Sequence, residues 1–512
     1  MVMRYNLINT ILKGKFSDVR TYRTRIDIVI IFVITLFGCV YPASTSGQVI
    51  ISLDSTKVVS QGYVGNGVQW DPYQLDYGHG QLVLSDSDVT KLYNRLDFMR
   101  PGIIRMMINA SSLVMSDGTT DFNKYYRNLE PLLNYCQSRD INVVFGDWGS
   151  SVVDRRTKQI NKNNIENIIA FVRYLREDNG MDCIRYFNFV NEPNGYWSST
   201  DGDFSLWAKG MKETYAAMER QGIASQVRLI GPDAAIWTKD ETWWVAMSAE
   251  ELGEMIGLYD IHTYPSRHTV STNQYYDIIK AYRDCVPKGS KIIMGEIGLK
   301  YVAPEDRHLN ELNQNRAKSA RFASLDDSQM SVYDFSYGID MADALIQTLR
   351  AGYSGTVAWM LDDAMHSKES PDKLKIWGFW NIFGDEFFGE EQEKVRPWFY
   401  AWSMLCRAIP SGCDILNSDS ETPLSIKCAF TRKDGKYSII LLNITNSAVD
   451  VCLKGAPSHS TKDVKTVIYN EDSLKNIETE LCMPEERGTL FPKSDEVINI
   501  PANSMIIISN II

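Results

Sequence analysis

The stretch IRYFNFVNEPN, residues 184–194, decides how the whole chain is interpreted. It opens rich in apolar and aromatic residues, the pattern of a strand that is buried on both faces. It ends at Glu192 and Pro193, because proline cannot donate to a sheet ladder and restricts the residue before it. A carboxylate therefore stands at the carboxyl end of a buried parallel strand, where barrel and open α/β enzymes place their catalytic groups.

A second stretch, KIIMGEIG at residues 291–298, repeats this arrangement with Glu296. One glutamate before a proline is well explained as the cap of a following helix. Two glutamates at the ends of two strands predict a carboxylate pair.

Length and composition indicate a globular protein with a large core. The chain has 512 residues, of which 44% are hydrophobic and 23% charged, enough for one barrel domain and a smaller one. The net charge of −11 argues against a general binder of nucleic acid or anionic membranes. The cysteines form no CxxC or Cys/His cluster and the histidines are scattered, so neither a metal site nor an organic cofactor is predicted.

Residues 1–47 are predicted to be an export leader. Basic residues precede IVIIFVITLFGCV at 28–40, which is too short to span a bilayer and suits a signal peptide. The LFGC segment resembles a bacterial lipobox, with Phe37 where a small residue is usual, and cleavage within 43–47 is the alternative. We expect an exported bacterial protein, either periplasmic or a lipoprotein of the outer membrane or cell surface that is anchored through Cys39.

Residues 60–410 alternate between short apolar runs and amphipathic helices, such as the clean apolar stripe over 164–177. Eight strands with helices between most of them predict a (β/α)₈ barrel. The predicted strands lie within residues 63–70, 103–108, 142–148, 184–194, 227–233, 258–265, 291–298 and 355–363.

The pattern changes after the last predicted helix, at 397–409. Residues 411–512 contain alternating strands, for instance KYSIILLNIT, which predict a β-sandwich. Residues 48–59 are predicted to pair with this sandwich. Residues 364–395 are rich in charge, glycine and aromatics, and are predicted to form a long loop over the barrel mouth.

The two strand-end glutamates suit the cleavage of an acetal between sugars. That reaction needs a proton for the departing oxygen and a carboxylate for the oxocarbenium-like centre. Glu192 ends the fourth strand and Glu296 the seventh, and these strands face each other across a barrel. Both side chains can therefore point into one cleft.

On these residues the chain resembles the retaining glycoside hydrolases of clan A, (β/α)₈ enzymes that include cellulase-like and β-xylosidase-like families. The resemblance covers residues 60–410. Asn191-Glu192-Pro193 resembles the clan's Asn-Glu-Pro signature, which implies that Glu192 is the acid/base and that Asn191 binds the 2-hydroxyl. Glu296 resembles the clan's nucleophile on the seventh strand.

Four further residues match the same clan. Arg105 resembles the arginine beside the nucleophile, and Trp359 the platform under the sugar next to the scissile bond. His262 and Tyr264 resemble the clan's His-x-Tyr pair, whose tyrosine donates to the nucleophile. Taken singly, each has a structural explanation, as an ion pair or as core. Their joint occurrence at successive strand ends favours the glycosidase interpretation.

Trp70, Asp147 and Trp148 also follow barrel strands and are predicted to contact sugar at the mouth. Loop capping and rim packing explain each of them equally well.

The sequence thus predicts an exported retaining glycosidase that cleaves β-linked oligo- or polysaccharides. One alternative is a noncatalytic carbohydrate-binding protein on a decayed barrel. Another is a transglycosylase, which would use the same residues and differ in its acceptor. The sugar, the linkage and the oligomeric state stay open.

Overall fold

The computed structural model describes residues 48–73, 84–368, 370–420, 425–457, 463–493 and 496–512. The predicted leader, with Cys39, lies outside the described residues. Over the described residues, no helix is both long enough and apolar enough to cross a membrane.

Within these residues, eight parallel strands close into a barrel, which we number 1 to 8 in chain order. Each predicted strand forms, and strand 8 pairs with strand 1 to complete the ring. Nearly all of their residues are buried, as expected for parallel strands covered by helices on the outside. The strands span Gly65–Gln69, Ile103–Ile108, Asn142–Asp147, Ile184–Asn188, Arg228–Ile236, Ile256–Thr263, Ile292–Ile297 and Gly355–Ala358.

At least one long helix follows each barrel strand, and two follow strand 7. In the helix after strand 3, Ile165, Ile168 and Val172 are buried on one face, and the Asn161 side chain caps the N-terminus. These helices span Asp86–Met99, Phe122–Ser138, Lys162–Arg173, Phe204–Arg220, Thr242–Leu252, Gln274–Cys285, Phe335–Arg350 and Pro397–Ala408. Additional helices span Arg267–Ser271, Arg307–Ser319, Gly384–Phe387, Glu390–Glu393 and Glu471–Lys475.

A second, mostly antiparallel sheet contains nine of the described strands. Strand Val49–Ser60 lies inside it, antiparallel to Asp414–Ser420 and parallel to Val449–Lys454. The sheet curls around its own apolar core, which includes Phe430 and Leu441. A barrel followed by a sandwich-like β-module is therefore confirmed. The remaining strands are Ile426–Lys433, Lys436–Asn443, Val464–Tyr469, Arg487–Thr489, Val497–Ile500 and Ser504–Ser509.

The sheet packs against the helices that follow strands 7 and 8. Lys427 of the sheet forms a buried ion pair with Asp343 of the barrel. The Tyr469 hydroxyl donates to the Phe335 carbonyl over 2.7 Å. Gly338 permits this approach, because a Cβ atom there would lie 2.4 Å from that hydroxyl. These contacts suit a module that braces the barrel.

Two buried aspartates after strand 8 hold the loop over the barrel mouth. Asp363 pairs with Arg396 and accepts the Trp377 amide over 2.9 Å. Asp362 accepts the indole N–H of Trp380 over 2.9 Å, and burial raises the pKa of Asp362 to about 7. The segment between these anchors is thereby fixed against the cleft.

Candidate active site

Glu192 and Glu296 enter one cavity at the carboxyl ends of strands 4 and 7. An oxygen of each carboxyl group lies within 4.8 Å of one from the other. The cavity has a volume of about 670 Å³. Predicted site residues among those lining it are Trp148, Asn191, Tyr264 and Trp359.

Both oxygens of Glu296 are held by hydrogen bonds. Arg105 Nη1 donates to Oε1 over 2.7 Å, and the Tyr264 hydroxyl donates to Oε2 over 2.8 Å. Burial raises the pKa of Glu296 above its ordinary value, against the opposing effect of the cations His262 and Arg105. The carboxylate is thus fixed in position at the floor of the cavity.

The guanidinium of Arg105, on strand 2, connects several strand ends and is almost fully buried. Its Nη2 donates to Asn191 Oδ1 over 2.8 Å and to Asp233 Oδ2 over 3.0 Å. Its Nη1 also donates to Gln69 Oε1 over 2.9 Å. A planar fork with several donors suits this multidentate role better than a lysine would.

His262, at the end of strand 6, lies between the two glutamates. Its Nδ1 is 3.3 Å from Glu192 Oε1 and 3.6 Å from Glu296 Oε1. Its Nε2 is 2.8 Å from Asp233 Oδ1. Burial opposes a charge here, but Asp233 and Glu296 outweigh it and raise the pKa of His262 well above its ordinary value. The protonated form of the ring is thereby favoured.

Glu192 stands on the more open side of the cavity. Its side chain is 13% exposed, whereas that of Glu296 is 5% exposed. The indole Nε1–H of Trp197 donates to Glu192 Oε2 over 2.6 Å. Trp197 also meets Tyr196 and Trp237 edge to face, at 5.0 and 5.8 Å between ring centres. These three exposed aromatics form a wall beside Glu192.

Asp233 lies in the second half of strand 5 and contacts residues that surround both glutamates. Its Oδ2 accepts from Asn188 Nδ2 over 2.8 Å and from the Glu192 backbone N–H over 3.2 Å. Glu192 has a φ of 47°, uncommon for a non-glycine residue, and this bond helps to hold it. Burial opposes the charge of Asp233, but Arg105 and His262 outweigh it and lower its pKa.

Asp260, on strand 6, is the carboxyl neighbour of Asp233. It accepts the backbone N–H of Asp233 over 2.8 Å. Burial, together with the negative charge of Asp233, raises the pKa of Asp260 well above its ordinary value. The pKa values of these two neighbouring carboxyl groups are thus shifted in opposite directions.

Replacing Asp233 with asparagine is expected to lower kcat/KM for an aryl glycoside by roughly 10²-fold, because the Glu192 backbone and the two cations lose a shared anchor. The negative charge of Asp233 raises the pKa of Glu296, so its removal lowers that pKa. If Glu296 must be ionised to react, the acid limb of the pH profile of kcat/KM moves to lower pH. The matched control is Asp260→Asn, which replaces a carboxyl group whose raised pKa disfavours its charged form. An unmoved acid limb in Asp233→Asn would contradict this electrostatic role.

Trp359 and Trp148, both predicted to contact sugar, form another wall of the cavity. Their rings are nearly perpendicular, with centres 6.3 Å apart. His366, from the loop over the mouth, stacks on Trp359 at 5.4 Å, and its Nε2 is 2.7 Å from Asp71 Oδ2. Four residues of the site were not predicted from the sequence: His366, Trp197, Gln69 and Asp233. Of these four, only Trp197 could have been found from the sequence, because it follows Glu192 by five residues in the same turn.

Four of the predicted binding residues do not line this cavity. Arg105 and His262 contact its glutamates instead, whereas the contacts of Trp70 and Asp147 lie elsewhere, which corrects the assignment of these two. Trp70 is 0% exposed and packs edge-on against Tyr135 at 5.9 Å, so it belongs to the core. Asp147 accepts the backbone amides of Ala110 and Gly149, each over 2.6 Å, and therefore caps a loop. Packing accounts for the contacts of Trp70, and loop capping accounts for those of Asp147.

The donor atoms of Glu192, His262 and Glu296 lie close enough together to surround a metal ion. Their chemistry disfavours one. Arg105 already donates to Glu296, and the raised pKa of His262 favours the protonated ring, which has no lone pair to offer. In the group of Asp233, Asp260 and His262, the pKa of Asp260 is also raised well above its ordinary value. These positive charges suit the binding of a polar organic substrate between the carboxyl groups.

Solved structures of glycoside hydrolases share this architecture. A GH30 endoxylanase from Clostridium papyrosolvens C71 has a TM-score of 0.59 at 14% identity, covering 90% of this chain and 99% of its own. A GH39 β-xylosidase from Caulobacter crescentus has a TM-score of 0.55 at 15% identity, with coverages of 90% and 99%. A conserved exported protein from Bacteroides fragilis has a TM-score of 0.60 at 12% identity, with coverages of 90% and 100%.

Sequence comparison adds little to this likeness. No protein-family model matches the chain. The curated mitogen-activated protein kinase kinase kinase 12 of Rattus norvegicus is 24% identical over 149 residues. This match spans 27% of the chain and 16% of the kinase, so it covers a fragment of each protein. The chain has the fold of the GH30 and GH39 glycoside hydrolases, as its resemblance to clan A implied.

Proposed function

We propose that this protein is a retaining glycoside hydrolase that cleaves β-glycosidic bonds in oligo- or polysaccharides. The observation that carries the proposal is the approach of Glu192 and Glu296 to within 4.8 Å, oxygen to oxygen, in one cavity. Double displacement uses carboxyl groups roughly 5–5.5 Å apart, whereas single displacement needs roughly 6.5–9.5 Å to admit a water molecule. The short separation favours a covalent intermediate.

In the first step, a carboxylate oxygen of Glu296 attacks the anomeric carbon. The bond from that carbon to the departing oxygen breaks, and Glu192 gives its proton to that oxygen. Arg105 and Tyr264 aim the carboxylate, each by a hydrogen bond to one oxygen. The products of this step are a glycosyl ester on Glu296 and an ionised Glu192.

In the second step, Glu192 takes a proton from water as the water oxygen attacks the anomeric carbon. The ester bond breaks, Glu296 leaves as a carboxylate, and Glu192 is again protonated. The Trp197 indole N–H donates to Glu192 Oε2 over 2.6 Å and holds the side chain in place for this step. The aromatic wall beside Glu192 offers faces on which the departing sugar can stack.

The stereochemical outcome tests this mechanism. Two inversions at the anomeric carbon leave the product with the configuration of the substrate. Proton NMR in the first minutes of turnover, before mutarotation, is expected to show the β-anomer from a β-glycoside. If the α-anomer forms first, no intermediate forms on Glu296 and the proposed mechanism is wrong.

We propose in addition that the protein is exported. The charged and apolar pattern of residues 1–47 and the fold shared with an exported protein of Bacteroides fragilis support this location. Mass measurement of the native protein is expected to place its first residue at Cys39, with added lipid, or within 44–48. An intact chain that starts in the first 25 residues would rule out this processing.

A further inference from the structure

Three lysines line the cavity, and two of them form ion pairs with aspartates. Lys375 pairs with Asp327 over 3.2 Å, and Lys368 pairs with Asp326. Lys300 forms no ion pair with any carboxylate among the described residues. Within this part of the chain, its ammonium group therefore has no direct carboxylate partner.

The ammonium group of Lys300 lies over the ring of Tyr264, the residue that donates to Glu296. Lys300 follows Glu296 by four residues, just after strand 7. Its Nζ lies 4.6 Å from the ring centre of Tyr264 and 5.6 Å from that of Trp377. The hydroxyl of Tyr264 donates to Glu296, so the ammonium is one tyrosine ring from the proposed nucleophile. Ring faces attract a cation without neutralising it.

We propose that Lys300 binds an anionic group, a carboxylate or a sulfate, on the sugar that becomes attached to Glu296. The substrate is accordingly an acidic glycan. This inference rests on the proposed glycosidase function, because it names the substrate class of the same site.

Charge and hydrogen bonding favour an acidic sugar over a neutral one. An ammonium offers three donors, and its bonds to an anion are roughly twice as strong as those between neutral groups. A neutral sugar would displace water from the ammonium group of Lys300 without neutralising its positive charge. The whole protein has a net charge of −11 and repels polyanions at a distance, so attraction must come from a local group.

Matched pairs of aryl glycosides test the proposal. Each pair differs only in the anionic group: glucuronide and glucoside, galacturonide and galactoside, 6-sulfated and plain N-acetylglucosaminide, all β-linked to 4-methylumbelliferone. For at least one pair we expect kcat/KM to favour the acidic member by on the order of 10- to 100-fold. The pair that responds identifies the anion as carboxylate or sulfate.

Variants tie the preference to this residue. Lys300→Met is expected to remove it, lowering kcat/KM on the acidic substrate by on the order of 10- to 100-fold and on its neutral partner by less than about threefold. Lys300→Arg is expected to retain part of the preference. The control is Lys288→Met, which replaces an exposed lysine shortly before the first residue of strand 7. This variant is expected to change neither value of kcat/KM.

The outcomes separate the two proposals. If the neutral member of every pair is preferred, or if Lys300→Met loses activity equally on both members, the proposal of an acidic substrate is wrong and the proposed glycosidase function is unaffected. If no glycoside is turned over, the proposed glycosidase function is wrong. Saturation-transfer NMR with glucuronate, galacturonate and 6-sulfated N-acetylglucosamine then tests the pocket alone: signals that vanish in Lys300→Met support anion binding, and signals that are absent or unchanged overturn it.

Discussion

Glu296→Gln is expected to lower turnover of every glycoside by at least about 10⁴-fold, because an amide cannot form the glycosyl ester. Glutamine keeps the volume of the side chain and an oxygen that can accept from Arg105, so the buried guanidinium stays partnered. Stopped-flow measurement with a dinitrophenyl glycoside should show a release of dinitrophenolate in the wild type that is absent in the variant.

Labelling locates the reacting oxygen independently of the rate. A 2-fluoro dinitrophenyl glycoside should leave a glycosyl group on the wild-type peptide that contains Glu296 and none on the variant. Glu305→Gln, an exposed glutamate shortly after strand 7, is the control and should behave as wild type. A label on any other residue, or substantial turnover by Glu296→Gln, would contradict the assignment.

The positions of these glutamates were predictable because a closed parallel barrel brings the carboxyl ends of its strands together. Once strands 4 and 7 are identified from their apolar runs, the residues that end them must face one mouth. The same reasoning places His262 and Tyr264 from strand 6. Local sequence was sufficient because these residues lie within the strands or in the turns that directly follow them.

Side-chain direction along a strand explains where this reasoning failed. Successive residues of a strand point to opposite faces. Gln69 points inward and reaches Arg105, so the next residue, Trp70, points outward to Tyr135 in the helix layer. A prediction that takes every residue at a strand end includes both the one that faces the barrel interior and the one that faces outward. Asp147 was predicted to bind sugar for this reason, although only its neighbour Trp148 lines the cavity.

Residues supplied by loops were out of reach for a different reason. Lys375 and His366 reach the cavity only because buried Asp362 and Asp363 fix the loop that carries them. Those contacts join distant parts of the chain, and no local period encodes them. The anchoring role of Asp233 also depends on the convergence of several strands.

The β-module illustrates the same limit. Alternation predicts its strands, since one face of each is buried against a core. The insertion of Val49–Ser60 between Asp414–Ser420 and Val449–Lys454 depends on pairing across the whole chain. Its order in the sheet could be read only from the structure.

Glu192→Ala is expected to affect the two chemical steps unequally. A dinitrophenolate leaving group needs no proton, so formation of the glycosyl ester should stay within about tenfold of wild type. Substrates with poor leaving groups should lose roughly 10²- to 10⁴-fold, the usual contribution of a general acid. The second step should become slow for all substrates, because no base remains to activate water, and the ester on Glu296 should accumulate.

Azide distinguishes loss of the acid/base from general damage to the site. A small anion can enter the space left by the Glu192 side chain, which lies at the open side of the cavity. It attacks the ester without needing a base, so added azide should restore turnover of the dinitrophenyl glycoside and yield a β-glycosyl azide. Glu296→Gln provides the internal control: it forms no ester, and azide should produce no β-glycosyl azide from it. If both variants lose all activity on activated substrates and azide changes neither, the roles assigned to the two glutamates are wrong.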